Sequence, residues 1–252
     1  MGAVVAAGVA GVVVGPVLNV LIDRVPSKAP LRGARDGEAS MPVSLLGVPA
    51  QPWLLRRGRS GDDALPWRWL AVEGVTILAF VVMALRFSDL ELVAVLWLTA
   101  ALVTVSVIDL QLLRIPDRIT FPALAVALPM LVAISLYRDR PDAIQAALVG
   151  AVVYFLLLLV PHLVYPQGMG FGDVKLALLM GLYLGWMGWT PGYPIVGPIR
   201  LVLYGLIAGS LIGVVFGLSA QVVTRRRGAF PFGPALALGC LLVIYHAAEL
   251  GP

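Results

Sequence analysis

Four acidic residues could carry chemistry, because they stand at or inside apolar segments of a chain that is mostly apolar. They are Glu73, Asp109, Asp117 and Asp173, whereas the other acidic residues lie in polar stretches or at segment ends. An ionisable side chain within a membrane segment costs about 3 kcal/mol on insertion scales and is by default a functional residue. A pair of carboxylates in such a setting is suited to general acid–base catalysis.

Asp173 follows a loop with few side chains, in the stretch "GMGFGDVKL" at 168–176. It stands where a helix begins, so its carboxylate could cap that helix and interact favourably with the helix dipole. Capping does not explain Gly168, Gly170 and Gly172, which permit extended or left-handed backbone and close approach of another chain. The pattern lacks the spacing of a phosphate loop and follows no predicted strand, which argues against nucleotide binding.

Asp109 and Asp117 lie eight residues apart in "IDLQLLRIPDRIT". Asp117 follows Pro116 and precedes an apolar segment, so we expect it to cap a helix. Asp109 is followed by "LQLL" and should therefore sit at membrane depth. A helix C-terminus disfavours an anion, and a pair with Arg114 is the other simple explanation for Asp109.

The composition predicts an all-α polytopic membrane protein. Hydrophobic residues make up 60% of the 252-residue chain and charged residues only 13%, against about 25% charged residues in soluble domains. A single cysteine, Cys240, provides neither a disulfide framework nor a cysteine-based zinc site.

Eight apolar segments are long enough to predict about eight transmembrane helices. The first has no basic residue ahead of it, so we interpret it as a retained span rather than a signal peptide. The sixth is short. The segments are 3–22, 69–86, 90–109, 119–136, 143–165, 174–190, 199–223 and 232–250.

The basic residues predict an N-terminus outside the cell, since 14 of the 18 then fall on the cytoplasmic side. Contact with anionic lipid is a secondary effect of these charges, and nucleic-acid binding is not indicated. We divide the chain into a first transmembrane helix (1–22), a cytoplasmic loop (23–68) and a seven-helix core (69–252). A glycine stripe at i, i+4 spacing predicts close helix packing in lipid, at Gly205, Gly209, Gly213 and Gly217.

The predicted topology connects Asp109 with Asp173. Two whole spans separate them, and an even number of crossings returns the chain to the same membrane face. Two carboxylates close together in a low-dielectric site share one proton. In aspartic proteases one such carboxylate deprotonates a water while the other, protonated, polarises the scissile carbonyl.

These residues resemble the type IV prepilin peptidases, which are intramembrane aspartyl proteases with a GxGD motif. Gly170, Gly172 and Asp173 match that motif, and "IDLQLLRIPDRIT" is similar to the segment of the first catalytic aspartate. The stretches "GPVLNVLIDRVP" (15–26) and "FPFGPALALG" (230–239) resemble the family's first and last spans. The four motifs occur in the family's order and cover nearly the whole chain.

The resemblance implies that Asp109 and Asp173 remove basic leader peptides from prepilins or pseudopilins at the cytoplasmic face. It also implies a bacterial inner membrane, a role in type IV pilus or type II secretion assembly, and no cofactor for proteolysis. Gly170, Gly172 and Lys175 would position the loop or the substrate. Lys175 could instead be an interfacial residue, or keep one carboxylate of the pair ionised. Nothing in the sequence fixes the oligomeric state or the particular prepilin.

The cytoplasmic loop departs from the pattern of many family members, which carry two C-x-x-C pairs there and methylate the new N-terminus with S-adenosylmethionine. Ser60 and Asp63 stand in the corresponding stretch and the loop has no cysteine, so we expect no zinc. Methylation is thereby in question. Glu73 is an accessory candidate, either for a residual methylation site or for packing, and Asp117 is a second accessory candidate.

A transporter that relays ions or protons through membrane carboxylates is the alternative from another class. It predicts acidic residues along a path and broken helices near the bilayer midplane. The acids of this sequence gather at one face, which favours the peptidase.

Overall fold

The computed structural model describes residues 1–25, 67–166, 169–224 and 231–250. Regular structure in these ranges is entirely α-helical, which confirms the predicted all-α class. The helices are α1 Gly2–Arg24, α2 Trp67–Arg86, α3 Asp89–Leu112, α4 Asp117–Tyr137, α5 Asp142–Val164, α6 Phe171–Met187, α7 Val196–Thr224 and α8 Gly233–Tyr245. Residues 26–66 of the predicted cytoplasmic loop, and Gly168, lie outside the described residues.

Six of the described helices, α1 to α5 and α7, are long and apolar enough to cross a membrane. The chain is therefore a multi-pass membrane protein. The helices α6 and α8 have only 17 and 13 residues, or about 26 and 20 Å at 1.5 Å per residue. Each of the eight predicted segments is a helix, but these two are shorter than a full crossing. The orientation deduced from the basic residues stays a prediction.

The chain divides into two compact units, Met1–Leu92 and Val93–Pro252. In the first unit α1 packs closely on α2. A Cβ built at Gly11 would lie only 2.8 Å from the Cα of Ile77, so a glycine allows this approach. Asn19 is fully buried and its side-chain amide donates to the Trp69 carbonyl oxygen at 3.2 Å. The predicted domain boundaries near residues 22 and 68 stay a prediction. The contacts place α2 in one unit with α1, whereas the prediction assigned it to the seven-helix core.

Glycines bring α5 and α6 of the second unit into backbone contact. A Cβ built at Gly150 would lie 2.5 Å from the Cα of Gly185, and one at Gly185 would lie 2.9 Å from the Cα of Gly150. Gly181 belongs to the same contact, since a Cβ built there would lie 2.9 Å from the Cα of Ala151. No side chain fits between these helices, so α6 is held in a fixed position against α5.

The predicted glycine stripe of α7 also packs as expected. Cβ atoms built at three of its glycines would meet neighbouring residues at 2.7–2.9 Å. Gly209 faces the Cα of Leu236 and Gly213 faces the Phe232 ring, whereas Gly205 faces the Leu184 side chain. The first two contacts fix the beginning of α8 against α7.

The glycine contact between α5 and α6 predicts a position-dependent cost for adding one methyl group. Gly185→Ala forces the two backbones apart, and we expect it to lower the free energy of unfolding by about 1–3 kcal/mol. Gly74→Ala is the matched control, since a Cβ at Gly74 meets nothing within 4 Å. Thermal unfolding in detergent micelles measures both. Equal midpoints for the two variants would contradict the close packing.

Candidate active site

Asp109 lies in the last turn of α3 and its side chain is buried, with the residue 5% exposed. The helix ends just beyond it, where Leu113 adopts a left-handed φ of 51°. A helix C-terminus is an unfavourable place for an anion, so this carboxylate needs a donor from elsewhere. The backbone N–H of Gly233 supplies one, donating to Asp109 Oδ2 at 3.0 Å.

Position 233 requires a glycine. A Cβ there would lie 2.9 Å from Asp109 Oδ2 and 3.3 Å from Ile115 Cδ1. Gly233 was not predicted as a site residue, although it lies in the "FPFGPALALG" stretch. That stretch identified the family resemblance but gave no indication of which residue its backbone would contact.

Asp173 lies in the first turn of α6, which begins after an extended Gly170 with φ −69° and ψ 141°. Gly170 occupies the N-cap position, so Asp173 lies inside the helix and does not cap it. Its backbone N–H bonds to the Gly170 carbonyl oxygen at 3.1 Å. The residue is 8% exposed, and Asp173 Oδ1 has no hydrogen-bond partner among the described residues.

Ile115, in the link between α3 and α4, contacts both halves of the site. A Cβ built at Gly172 would lie 2.8 Å from the Cβ of Ile115, whose Cδ1 faces Gly233. Gly172, next to Asp173, and Gly233, which is bonded to Asp109, therefore both contact the Ile115 side chain. The two carboxyl groups are close enough for their charges to repel each other. The structure thus brings Asp109 and Asp173 together.

Lys175 pairs with Asp117, its ammonium group lying 2.8 Å from both carboxylate oxygens. The ammonium group also lies 5.0 Å from the centre of the Phe171 ring and 5.7 Å from that of Phe121. Pro116 occupies the N-cap position of α4. The expected cap at Asp117 was therefore wrong, and its carboxylate forms an ion pair beside the loop.

Glu73 belongs to the first unit, where it is 8% exposed. A Cβ built at Gly15 would lie 3.0 Å from its Cγ, and its carboxyl group interacts with the buried side-chain amide of Asn19. Glu73 Oε1 has no hydrogen-bond partner among the described residues. These contacts favour the packing interpretation of Glu73.

The pair in the second unit is equipped for proton transfer. One Asp109 oxygen accepts a hydrogen bond from a backbone N–H, and Asp173 Oδ1 has no partner among the described residues. Two such groups can take a proton from a water and give one to a polarised oxygen. The part of the chain that the structure describes holds no group of three or more His, Cys, Asp or Glu side chains that could bind a metal ion.

Comparison with known proteins gives a family match over residues 93–218, to the type IV leader peptidase family. The chain is 32% identical over 202 residues to the prepilin leader peptidase/N-methyltransferase of Aeromonas salmonicida, covering 78% of this chain and 65% of that protein. It is 30% identical to the protein of that name from Bacillus subtilis, over 81% of this chain and 77% of the relative.

A third relative matches along nearly its entire length. It is the type 4 prepilin-like proteins leader peptide-processing enzyme of Escherichia coli O78:H11, 30% identical over 97% of this chain and 94% of the relative. The chain covers less than two thirds of the Aeromonas salmonicida protein. No solved structure matches the chain significantly.

The ion pair between Lys175 and Asp117 predicts a small energetic coupling. The Asp117 side chain is 53% exposed, so solvent screens the pair, and exposed pairs contribute about 1 kcal/mol or less. We expect a double-mutant cycle with Lys175→Met and Asp117→Asn to give a coupling below about 1 kcal/mol in thermal unfolding. A coupling of several kcal/mol would show that the pair is part of the buried site.

Proposed function

Because the chain belongs to the type IV leader peptidase family, we propose that it is a membrane aspartyl endopeptidase. It removes the basic leader peptide from type IV prepilins or pseudopilins. The observation that carries the proposal is the buried pair of Asp109 and Asp173, which comes from separate helices and meets beside the glycine-rich loop.

The two carboxyl groups have different surroundings, which suggests different roles. The Gly233 N–H bond stabilises Asp109 in its ionised form. Asp173 has a buried oxygen without a partner among the described residues, and a proton on this carboxyl group relieves its repulsion with Asp109. We assign Asp109 as the general base and Asp173 as the general acid.

Hydrolysis then follows the aspartic-protease scheme. Asp109 takes a proton from a water whose oxygen attacks the scissile carbonyl carbon, while Asp173 gives its proton to the carbonyl oxygen. The tetrahedral intermediate collapses as the C–N bond breaks, and the proton held by Asp109 passes to the leaving amine. Asp173 recovers its proton from the hydroxyl that becomes part of the new carboxyl group.

The loop before Asp173 gives the substrate backbone a route to the pair. Gly170 is exposed and extended, and a side chain there would point toward the carboxylate, since a Cβ would lie 3.3 Å from Asp173 Oδ2. A peptide bond must be extended and free of steric obstruction to be attacked. Gly170 and Gly172 therefore serve to clear the approach, which is the positioning role expected of them.

The cellular setting follows from the proposed substrate. The predicted orientation, with 14 basic residues on one side, supports a site at the cytoplasmic face, and the proposed substrate implies a bacterial inner membrane. A prepilin or pseudopilin, itself anchored by an apolar helix, is the proposed partner, with surrounding lipid and without nucleic acid. The transporter alternative has no support from the relatives, whose names describe leader peptidases or leader-peptide processing.

Methyl transfer is not part of the proposal, although two of the named relatives are called N-methyltransferases. Glu73, the residue considered for that activity, is enclosed by α1, with Gly15 and Asn19 against it. These contacts support a packing role for Glu73. The proposal is therefore confined to proteolysis.

The proposal predicts that either aspartate alone is indispensable. Asp109→Asn and Asp173→Asn each remove one proton-transfer group at nearly constant volume, and each should reduce leader removal below detection. The assay co-expresses a reporter prepilin with a basic leader, a glycine and an apolar helix, and mass spectrometry reads its N-terminus. The variants should still insert into the membrane at wild-type levels.

Asp117→Ala is the matched control, since it removes a third nearby aspartate that only forms an ion pair. It should retain substantial cleavage. Normal cleavage by either Asp109→Asn or Asp173→Asn would refute the mechanism. Complete loss in Asp117→Ala would show that the pair has been assigned to the wrong aspartates.

Gly233→Ala should impair cleavage without removing any acid–base group. The added Cβ would lie 2.9 Å from Asp109 Oδ2, so the carboxylate moves and loses its N–H donor. We expect kcat to fall by about 10-fold or more, as for a lost hydrogen bond to a charged group. Gly74→Ala, the same change at an open position, should leave kcat unchanged. Wild-type kcat in Gly233→Ala would contradict the assigned role.

A further inference from the structure

His162, near the end of α5, contacts the residues before and after Gly170 in the glycine-rich loop. Its Nδ1 lies 2.9 Å from the carbonyl oxygen of Met169. A carbonyl oxygen can only accept, so Nδ1 carries the hydrogen and donates it. The bond connects the end of one helix to the residue immediately before Gly170.

The imidazole ring also packs against Phe171, the first residue of α6. The ring centroids are 5.3 Å apart, with an angle of 37° between the planes. His162 thus contacts the residues on both sides of Gly170, one through a hydrogen bond and one through its ring. Lys175 lies over the same Phe171 ring, so the beginning of α6 is held from within the helix as well.

The loop needs such an external contact because its glycines provide none. Gly170 and Gly172 have no side chains to anchor them, and glycine loses more conformational freedom than any other residue when it is ordered. Asp173 follows directly, and its carboxyl group must remain beside Asp109 for proton transfer. A positional error of about 1 Å in a catalytic group can cost about 100-fold in rate.

We propose that His162 is a positioning residue for peptide hydrolysis, acting by holding the Met169 carbonyl so that Asp173 stays aligned with Asp109. The inference rests on the proposed function. In this proposal His162 does not touch the reacting atoms. It acts through the hydrogen bond that its Nδ1–H donates to Met169, and not through its charge. Its effect should therefore appear in kcat and not in the affinity for the substrate.

Two substitutions separate the hydrogen bond from the ring contact. His162→Phe keeps a ring against Phe171 and loses the donor, whereas His162→Asn loses the ring and keeps an amide N–H at the position of Nδ1. We expect His162→Phe to lower kcat by about 3- to 10-fold, the loss of one hydrogen bond, with KM unchanged. His162→Asn should retain kcat within about 2-fold. The substrate is the reporter prepilin, supplied to the full-length protein in detergent micelles.

Three results would overturn the proposal: normal kcat in His162→Phe, an equal loss of kcat in both variants, or a loss confined to His162→Asn. The last two results would mean that His162 only packs the end of α5. Thermal midpoints measured on the same preparations show whether either variant has lost its fold.

Amide hydrogen exchange separates this inference from the proposed function. Backbone amides of residues 169–175 should exchange faster in His162→Phe than in wild type or His162→Asn, whether or not the protein cleaves the reporter. If wild type fails to cleave the reporter, the proposed function fails, while the exchange pattern still supports or refutes the contact. Unchanged exchange in His162→Phe would refute the positioning role.

Discussion

The position of Asp109 in the second unit depends on one hydrogen bond, from the Gly233 N–H to Asp109 Oδ2. Asp109 is buried at a helix C-terminus, where both desolvation and the helix dipole oppose a negative charge. A charged group in that position persists only if a donor reaches it from another part of the chain. That donor comes from the start of α8, which must therefore lie against the end of α3 with no side chain between them.

Close helix packing makes that approach possible. Gly209 and Gly213 fix the start of α8 against α7, and Gly150 and Gly185 place α6 against α5. In lipid there is little hydrophobic drive between helices, so close backbone contact and polar bonds hold a bundle together. The glycines of the helices thus allow neighbouring segments to approach closely, and Gly172 of the loop does the same toward Ile115.

The sequence was informative about the features encoded locally. The length of the apolar segments predicted the helices, and the even number of spans between Asp109 and Asp173 predicted a shared membrane face. Contacts between distant residues were not predictable in this way, because no local pattern specifies which donor a buried carboxylate receives. The Lys175–Asp117 pair and the His162–Met169 bond belong to this second kind. The expected cap at Asp117 failed because Pro116 has an extended backbone and occupies that position itself.

The surroundings of the aspartate pair are the basis for the opposite roles proposed for two identical side chains. Asp109 accepts a hydrogen bond from an N–H whose place is fixed by helix packing, and this bond favours its ionised form. Asp173 lies at the start of a helix next to a loop of glycines, and its Oδ1 has no partner among the described residues. In the proposed mechanism Asp109 is the proton acceptor and Asp173 is the proton donor. The precision of that arrangement depends on the loop, and the loop in turn depends on side chains outside it.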